Sequence, residues 1–167
     1  MDAALMRPST SWSSAAGLLG WISLCLAVAG MGGWLTMLGM PDWYDSLTKP
    51  TWNPPNWIFG PVWTALYLTM AIAAWMVWRR HGWDGAPLPL ALFLLQLTLN
   101  LGWSGIFFAL RSPGWGVVEI LALWGAILAT LIGFWPYHRL AALLFVPYLA
   151  WVSFASVLNF ALWRLNS

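Results

Sequence analysis

Few side chains in this sequence can do chemistry, and most of those that can recur at helical spacing. Gln96 and Asn100 stand four apart, and Trp103 and Phe107 continue the same helical face. Tyr148, Trp151, Ala155 and Asn159 follow at intervals of 3, 4 and 4, again one face. Glu119 is the one acidic residue inside a strongly apolar stretch, and Trp63 stands near the start of another. Amides, indoles, phenols and a single carboxyl can hold a ligand by stacking and hydrogen bonds. They do not make a nucleophile with a base. No H-E-x-x-H, Cys/His ligand spacing, Ser-His-Asp set or phosphate-cradling glycine loop occurs. Conventional catalysis is therefore unsupported, and no metal or resident cofactor is implied. His81 and His138 fall in connecting segments away from these faces.

The elements that must position these groups follow from composition. Of 167 residues, 61% are hydrophobic and 7% charged, against about 25% charged in an average soluble protein. That excludes a soluble domain and a disordered chain. The net charge of +2 is dispersed, with no basic patch for nucleic acid. A single Cys25 leaves no disulfide framework and says nothing about redox compartment. No Arg-rich span or charged ring suggests an ion channel, and no inverted repeat suggests a secondary transporter.

Apolar stretches at about 14–38, 57–78, 88–110, 115–135 and 140–163 are each long enough to cross roughly 30 Å of hydrocarbon. The reading is an all-α membrane protein, one five-helix transmembrane domain over residues 1–167, behind a short polar tail at 1–12. A cleaved leader is the rival for the first stretch, with Arg7 ahead of it and Ala27-Val28-Ala29 as the site. The apolar character continuing through Trp34 and Met37 weighs against that. Arg79–Pro89 reads as a short Gly/Pro loop, and Arg111-Ser112-Pro113-Gly114 as a tight turn. Arg7, Arg79, Arg80 and Arg139 on one side against Lys49, Arg111 and Arg164 on the other lean slightly towards a cytoplasmic N-terminus. Gly105 and Ala109, and Gly125, Ala129 and Gly133, recur at four-residue spacing. Such small residues let helices approach closely, within one chain or across a homodimer seam.

Tryptophan is abundant, with sixteen copies. Trp12, Trp34, Trp78, Trp83, Trp115, Trp135 and Trp163 lie near predicted span ends, as interfacial anchors do. Trp103, Trp124 and Trp151 fall inside spans and either pack or line a flat aromatic cavity. The stretch Trp43–Trp63, between the first two spans, combines Trp43, Trp52 and Trp57 with Pro50, Pro54 and Pro55. The prolines break any helix, yet the aromatic content is too high for an ordinary solvated loop. An interfacial cap over something the helices enclose fits both properties. Measured from that side at 1.5 Å per residue, Asn159, Trp63 and Glu119 lie roughly 8–9 Å deep, Asn100 about 16 Å and Trp151 about 20 Å. Polar groups thus gather in one half of the bilayer, with room left at Ala155. Taken singly, each has a plainer role: Glu119 could bond a neighbouring helix, and Gln96 and Asn100 could be interhelical glue worth about 0.6 kcal/mol each.

W-Y-D-x-L-x-K-P-x-W-N-P-P (Trp43–Pro55), Trp63-T-A-L-Tyr67, L-x-L-N-x-x-W (Leu97–Trp103), V-P-Y-x-x-W (Val146–Trp151) and V-L-N-F-x-x-W-R (Val157–Arg164) together resemble the tryptophan-rich sensory protein / translocator protein (TspO/MBR) family, formerly the peripheral-type benzodiazepine receptor. The resemblance covers about residues 17–165 and is closest to bacterial members, which implies a multi-pass protein of a bacterial membrane. It also implies a five-helix bundle, usually a homodimer, that binds protoporphyrin IX-like tetrapyrroles and in many members cholesterol or isoquinoline carboxamide drugs. Carried over by motif, the pocket comprises Tyr44, Pro54, Trp63, Asn100, Trp103, Glu119, Trp151 and Ala155. The pair matching Trp63 and Trp151 supports light-dependent porphyrin breakdown in some bacterial members, the alternative to a receptor or carrier. The family's sterol-recognition stretch matches Val157–Arg164, with Val157 and Arg164 in place and Phe160 where the family has tyrosine. A porphyrin suits the physics: its flat ring gains by stacking on indoles, and its carboxylates need donors such as indole N–H, Asn100, cap backbone N–H or Lys49.

Overall fold

Four of the five long helices carry a proline in the first turn. Pro61, Pro87, Pro113 and Pro147 all sit within the first three positions of their helices. There a missing N–H costs nothing, because it would have had no partner within the helix. In the computed structural model, which describes the backbone of residues 11–167 and the side chains of residues 14–167, the chain is α-helical with short connections. The polar tail with Arg7 and the side chain of Trp12 lie outside the described residues.

The helices are α1 (Ser11–Met37), a short α2 (Asp42–Ser46), α3 (Phe59–Gly85), α4 (Pro87–Ser104), α5 (Pro113–Phe134), a short α6 (Arg139–Leu143) and α7 (Val146–Leu165). Among the described residues, five segments are long and apolar enough to span a membrane: Ser14–Met37, Asn56–Gly85, Pro87–Ala109, Pro113–Phe134 and Arg139–Leu165. Two boundaries differ from expectation. Arg79–Pro89 is not a loop. The helix runs through both arginines, breaks at Gly82 (φ 66°, ψ −172°) and resumes to Gly85, with Ala86 alone before α4. Only glycine adopts that backbone state freely. The fifth span is two helices, because the ring of Pro147 opposes the carbonyl four residues back, at Leu143, where α6 ends.

α4 ends in a π-turn, Gly105–Ala109. Leu110 N–H reaches back five residues to the Gly105 carbonyl at 2.9 Å, and Ser112 N–H to that of Ile106 at 3.2 Å. The wider turn buries the consecutive Phe107 and Phe108 together. Arg111, at φ 52°, then turns the chain into α5.

Around the bundle, α1 packs on α3 and α4, α4 on α5, and α5 on α7, while α6 reaches across to α3. The α6 end is filled. Phe93, Phe134 and Phe145 meet there at centroid distances of 5.5–6.3 Å, and Tyr148 packs beside Phe145 at 6.2 Å. At the other end α3 and α7 are bridged by the connector between α1 and α3. The connector is tied down at Asn166, whose Oδ1 accepts from Thr48 N–H at 2.8 Å. Its Nδ2 donates to the Thr48 carbonyl at 2.9 Å and to the Leu162 carbonyl at 2.7 Å. Trp52 also rests edge-on against Phe154 of α7, 5.9 Å between centroids.

Candidate ligand-binding site

Beneath the connector lies a cavity of about 350 Å³. Its walls come from four helices because each offers either a flat ring or a gap. Gly32 and Gly33 on α1 leave room, and Phe59, Trp63 and Tyr67 form one face of α3. Trp103, Phe107 and Phe108 form the α4 side, and Ala155 and Leu158 the α7 side. Tyr44 and Met40 close it from the connector. Among the described residues, no charged side chain lines it.

Asn100 is the polar centre of the floor. Tyr67 Oη donates to Asn100 Oδ1 at 2.6 Å, and Asn100 Nδ2 donates to Tyr148 Oη at 2.7 Å, all three buried. Gln96, on the same helical face, is fully buried without a partner for either polar atom and does not line the cavity. Trp103 stacks on Phe107 at 5.3 Å and 25°, and its Nε1–H donates to Asn159 Oδ1 at 3.0 Å. Asn159 Nδ2 in turn donates to the Pro113 carbonyl at 2.9 Å, tying α7 to the start of α5. The amides at 100 and 159 are thus engaged by the protein and fix the rings around them.

At the roof, Tyr44 Oη donates to Asn53 Oδ1 at 3.2 Å. Burial pushes the Tyr44 phenol above its ordinary pKa; the Asn53 bond opposes this and the Asp45 charge adds to it. The phenol therefore stays a neutral donor. Lys49 Nζ lies 4.8 Å from the Tyr44 ring centroid and donates to the Asp45 carbonyl at 3.2 Å, so it stands at the rim.

Tyr44, Trp63, Asn100, Trp103 and Ala155 line the one cavity. Pro54, Glu119 and Trp151 do not. The Pro54 carbonyl accepts from Asn53 Nδ2 at 3.0 Å within the connector. Glu119 turns towards α4: a Cβ on Gly102 would lie 3.3 Å from its Oε1, and neither carboxyl oxygen has a partner. Its depth matches the cavity, but its direction around the helix axis does not. Trp151 sits behind Phe59, 5.9 Å between centroids, with its buried Nε1–H unpartnered. Val157, Phe160 and Arg164 occupy the outward side of α7, all exposed.

Of the mid-span tryptophans, Trp124 serves packing, its Nε1–H donating to Ser153 Oγ at 2.8 Å across α5 and α7. Tyr67 and the α1 glycines were not singled out from sequence. Tyr67 had a signal, standing four residues after Trp63 and so on the same face. Glycines in an apolar helix carry no such mark.

Residues 21–164 match the TspO/MBR family. Similar proteins include the tryptophan-rich protein TspO of Chlorobaculum tepidum, 46% identical over 147 residues, covering 87% of this chain and 92% of that one. The translocator protein of Homo sapiens is 44% identical over 126 residues, 74% of this chain and 75% of its own. The tryptophan-rich sensory protein of Cereibacter sphaeroides is 37% identical over 148 residues, 89% and 90%.

Proposed function

Since this chain belongs to the TspO/MBR family, we propose that it is a membrane receptor or carrier that takes up a tetrapyrrole, or a comparably flat apolar molecule, beneath its connector. It is a multi-pass membrane protein, with five helices long and apolar enough to span; we assign it to a bacterial cell membrane. The observation that carries the reading is the ring-walled cavity with one internally bonded polar cluster at its floor. Aromatic faces reward a flat macrocycle, and ligand pockets are mostly apolar with a few placed polar groups.

The cavity also limits the pose. With no charged group among its walls, carboxylates on the ligand must face the connector, where backbone N–H groups and Lys49 lie. At about 350 Å³ it is at the low end of the roughly 300–1,000 Å³ typical of drug-sized ligands. A whole macrocycle therefore requires the connector to move outward. A homodimer belongs to the same proposal; of the α5 small residues, Gly125 faces outward with nothing within 4 Å of an added Cβ, whereas Gly133 packs against Leu92 and Pro89 of α4.

Quenching of tryptophan fluorescence by protoporphyrin IX tests the reading. Saturable quenching that weakens in Trp63→Ala is the expected result. Absence of saturation, or identical titrations in the two proteins, removes the proposal.

A further inference from the structure

The end of the bundle opposite the connector collects cations. Arg79 and Arg80 close the regular part of α3, and Arg139 opens α6 beside His138. His81 packs edge-on against Tyr137, 5.1 Å between centroids, which joins the end of α3 to the turn between α5 and α6. Arg79 is drawn aside over the Trp75 ring at 4.4 Å. Arg139 lies 6.0 Å from the Trp135 ring centroid, and these two wall a common groove of about 340 Å³ with Arg80, Tyr137 and Leu140. Among the described residues no carboxylate walls the groove; Asp84, beyond the Gly82 break, is not one of its walls.

We propose that this groove binds the phosphate of an anionic membrane phospholipid, Arg80 and Arg139 pairing with its oxygens while Trp135 and Leu140 meet the first carbons of its acyl chains. Guanidinium forks match phosphate geometry. Trp135 is 45% and Leu140 54% exposed, an apolar wall next to the charges that a free phosphate ion would leave unused. The placement suits a lipid as well. Trp135 and Tyr137 sit at the ends of spanning helices, the headgroup level at which such rings concentrate, and basic residues there attract anionic lipid. The groove is at the far end from the cavity, so this assignment stands or falls independently of the tetrapyrrole reading.

The full chain, purified in neutral detergent with equal phosphatidylglycerol and phosphatidylcholine, is assayed for retained lipid by native mass spectrometry. Preference for phosphatidylglycerol should be about fivefold per arginine engaged, lost in Arg80→Gln/Arg139→Gln and kept in Arg111→Gln at the other end. Leu140→Asp, at an exposed position, should also abolish it, and covers the case in which the double variant does not fold. Equal retention of the two lipids by the wild type overturns the proposal. So does a preference that survives these substitutions, or one erased by millimolar inorganic phosphate at constant ionic strength, which would mark an anion site instead.

Discussion

Tyr67 Oη donates to Asn100 Oδ1 at 2.6 Å, and this bond fixes which way the Asn100 amide faces. Its nitrogen is thereby aimed at Tyr148 Oη, 2.7 Å away, so α3, α4 and α7 meet through one side chain. Asn100→Ala should strand two buried hydroxyls, at about 1–3 kcal/mol for each unsatisfied group. Tyr67→Phe strands one buried acceptor, Asn100 Oδ1, and should cost about half as much, roughly 1–3 kcal/mol in all. Thermal unfolding in detergent, with Tyr148→Phe added to each variant, reads the coupling; additive losses would contradict a shared network.

Ala155 leaves the α7 wall open. Ala155→Leu should fill that space with little change in melting temperature, and weaken protoporphyrin IX quenching by about tenfold or more, equivalent to roughly 1.4 kcal/mol. Unchanged binding would place the ligand elsewhere.

Asn166 holds the connector by bonds to both backbone groups of Thr48. These groups are exposed, so Asn166→Ala should lower global stability by no more than about 1 kcal/mol. Local opening should change more. Hydrogen exchange at 41–56 is expected to quicken, and porphyrin association to speed up, if outward movement of the connector admits the ligand.

At Gly39 an added Cβ would lie 2.6 Å from the Phe108 carbonyl oxygen. Backbone cannot yield as a flexible side chain does, so Gly39→Ala should cost about 1–3 kcal/mol, as overpacking does. Gly20, in α1 with nothing within 4 Å of an added Cβ, is the control; Gly20→Ala should be neutral or slightly stabilising. Comparable melting of the two variants would argue against the tight approach of the turn after α1 to the π-turn.

His138 caps α6, its Nδ1 accepting from Ala141 N–H at 3.4 Å. Burial lowers its pKa below the ordinary value, and the neighbouring Arg80 and Arg79 lower it further; a backbone bond opposes this and His81 adds to the lowering. A base with a depressed folded pKa costs nothing above its unfolded value of about 6.5. It destabilises the fold as pH drops from there towards the folded value, where the unfolded chain binds the proton first. Melting temperature should therefore be flat above neutrality and decline below it. His138→Asn, which keeps a capping oxygen, should reduce that slope.

The spans were legible because long apolar runs of about 20 residues admit few other structures, and Trp63, Asn100, Trp103 and Ala155 because helical spacing places them on inward faces. Spacing gives height and face, not partners. It could not show that Asn100 is spent on Tyr67 and Tyr148. Glu119 illustrates the limit: its height equals that of Trp63, but the rotation of α5 aims it at Gly102. Trp151 has the right face but is screened by Phe59, which comes from a distant part of the chain. The Arg79–Pro89 loop was misread because Pro87 and Pro89 look like breakers, when here they open α4.

The π-turn at Gly105–Ala109 gives the end of α4 one residue more than a regular helix would hold. Each residue carries about 100° of rotation in a regular helix, so this surplus resets the angular phase of everything up to Arg111. Excising a single residue there would not simply shorten a span. It would swing Phe107 or Phe108 out towards the acyl chains and tear the aromatic wall from Tyr44. Changes in chain length at this point thus remodel the chamber rather than the anchor, a lever on ligand choice that point substitutions do not offer.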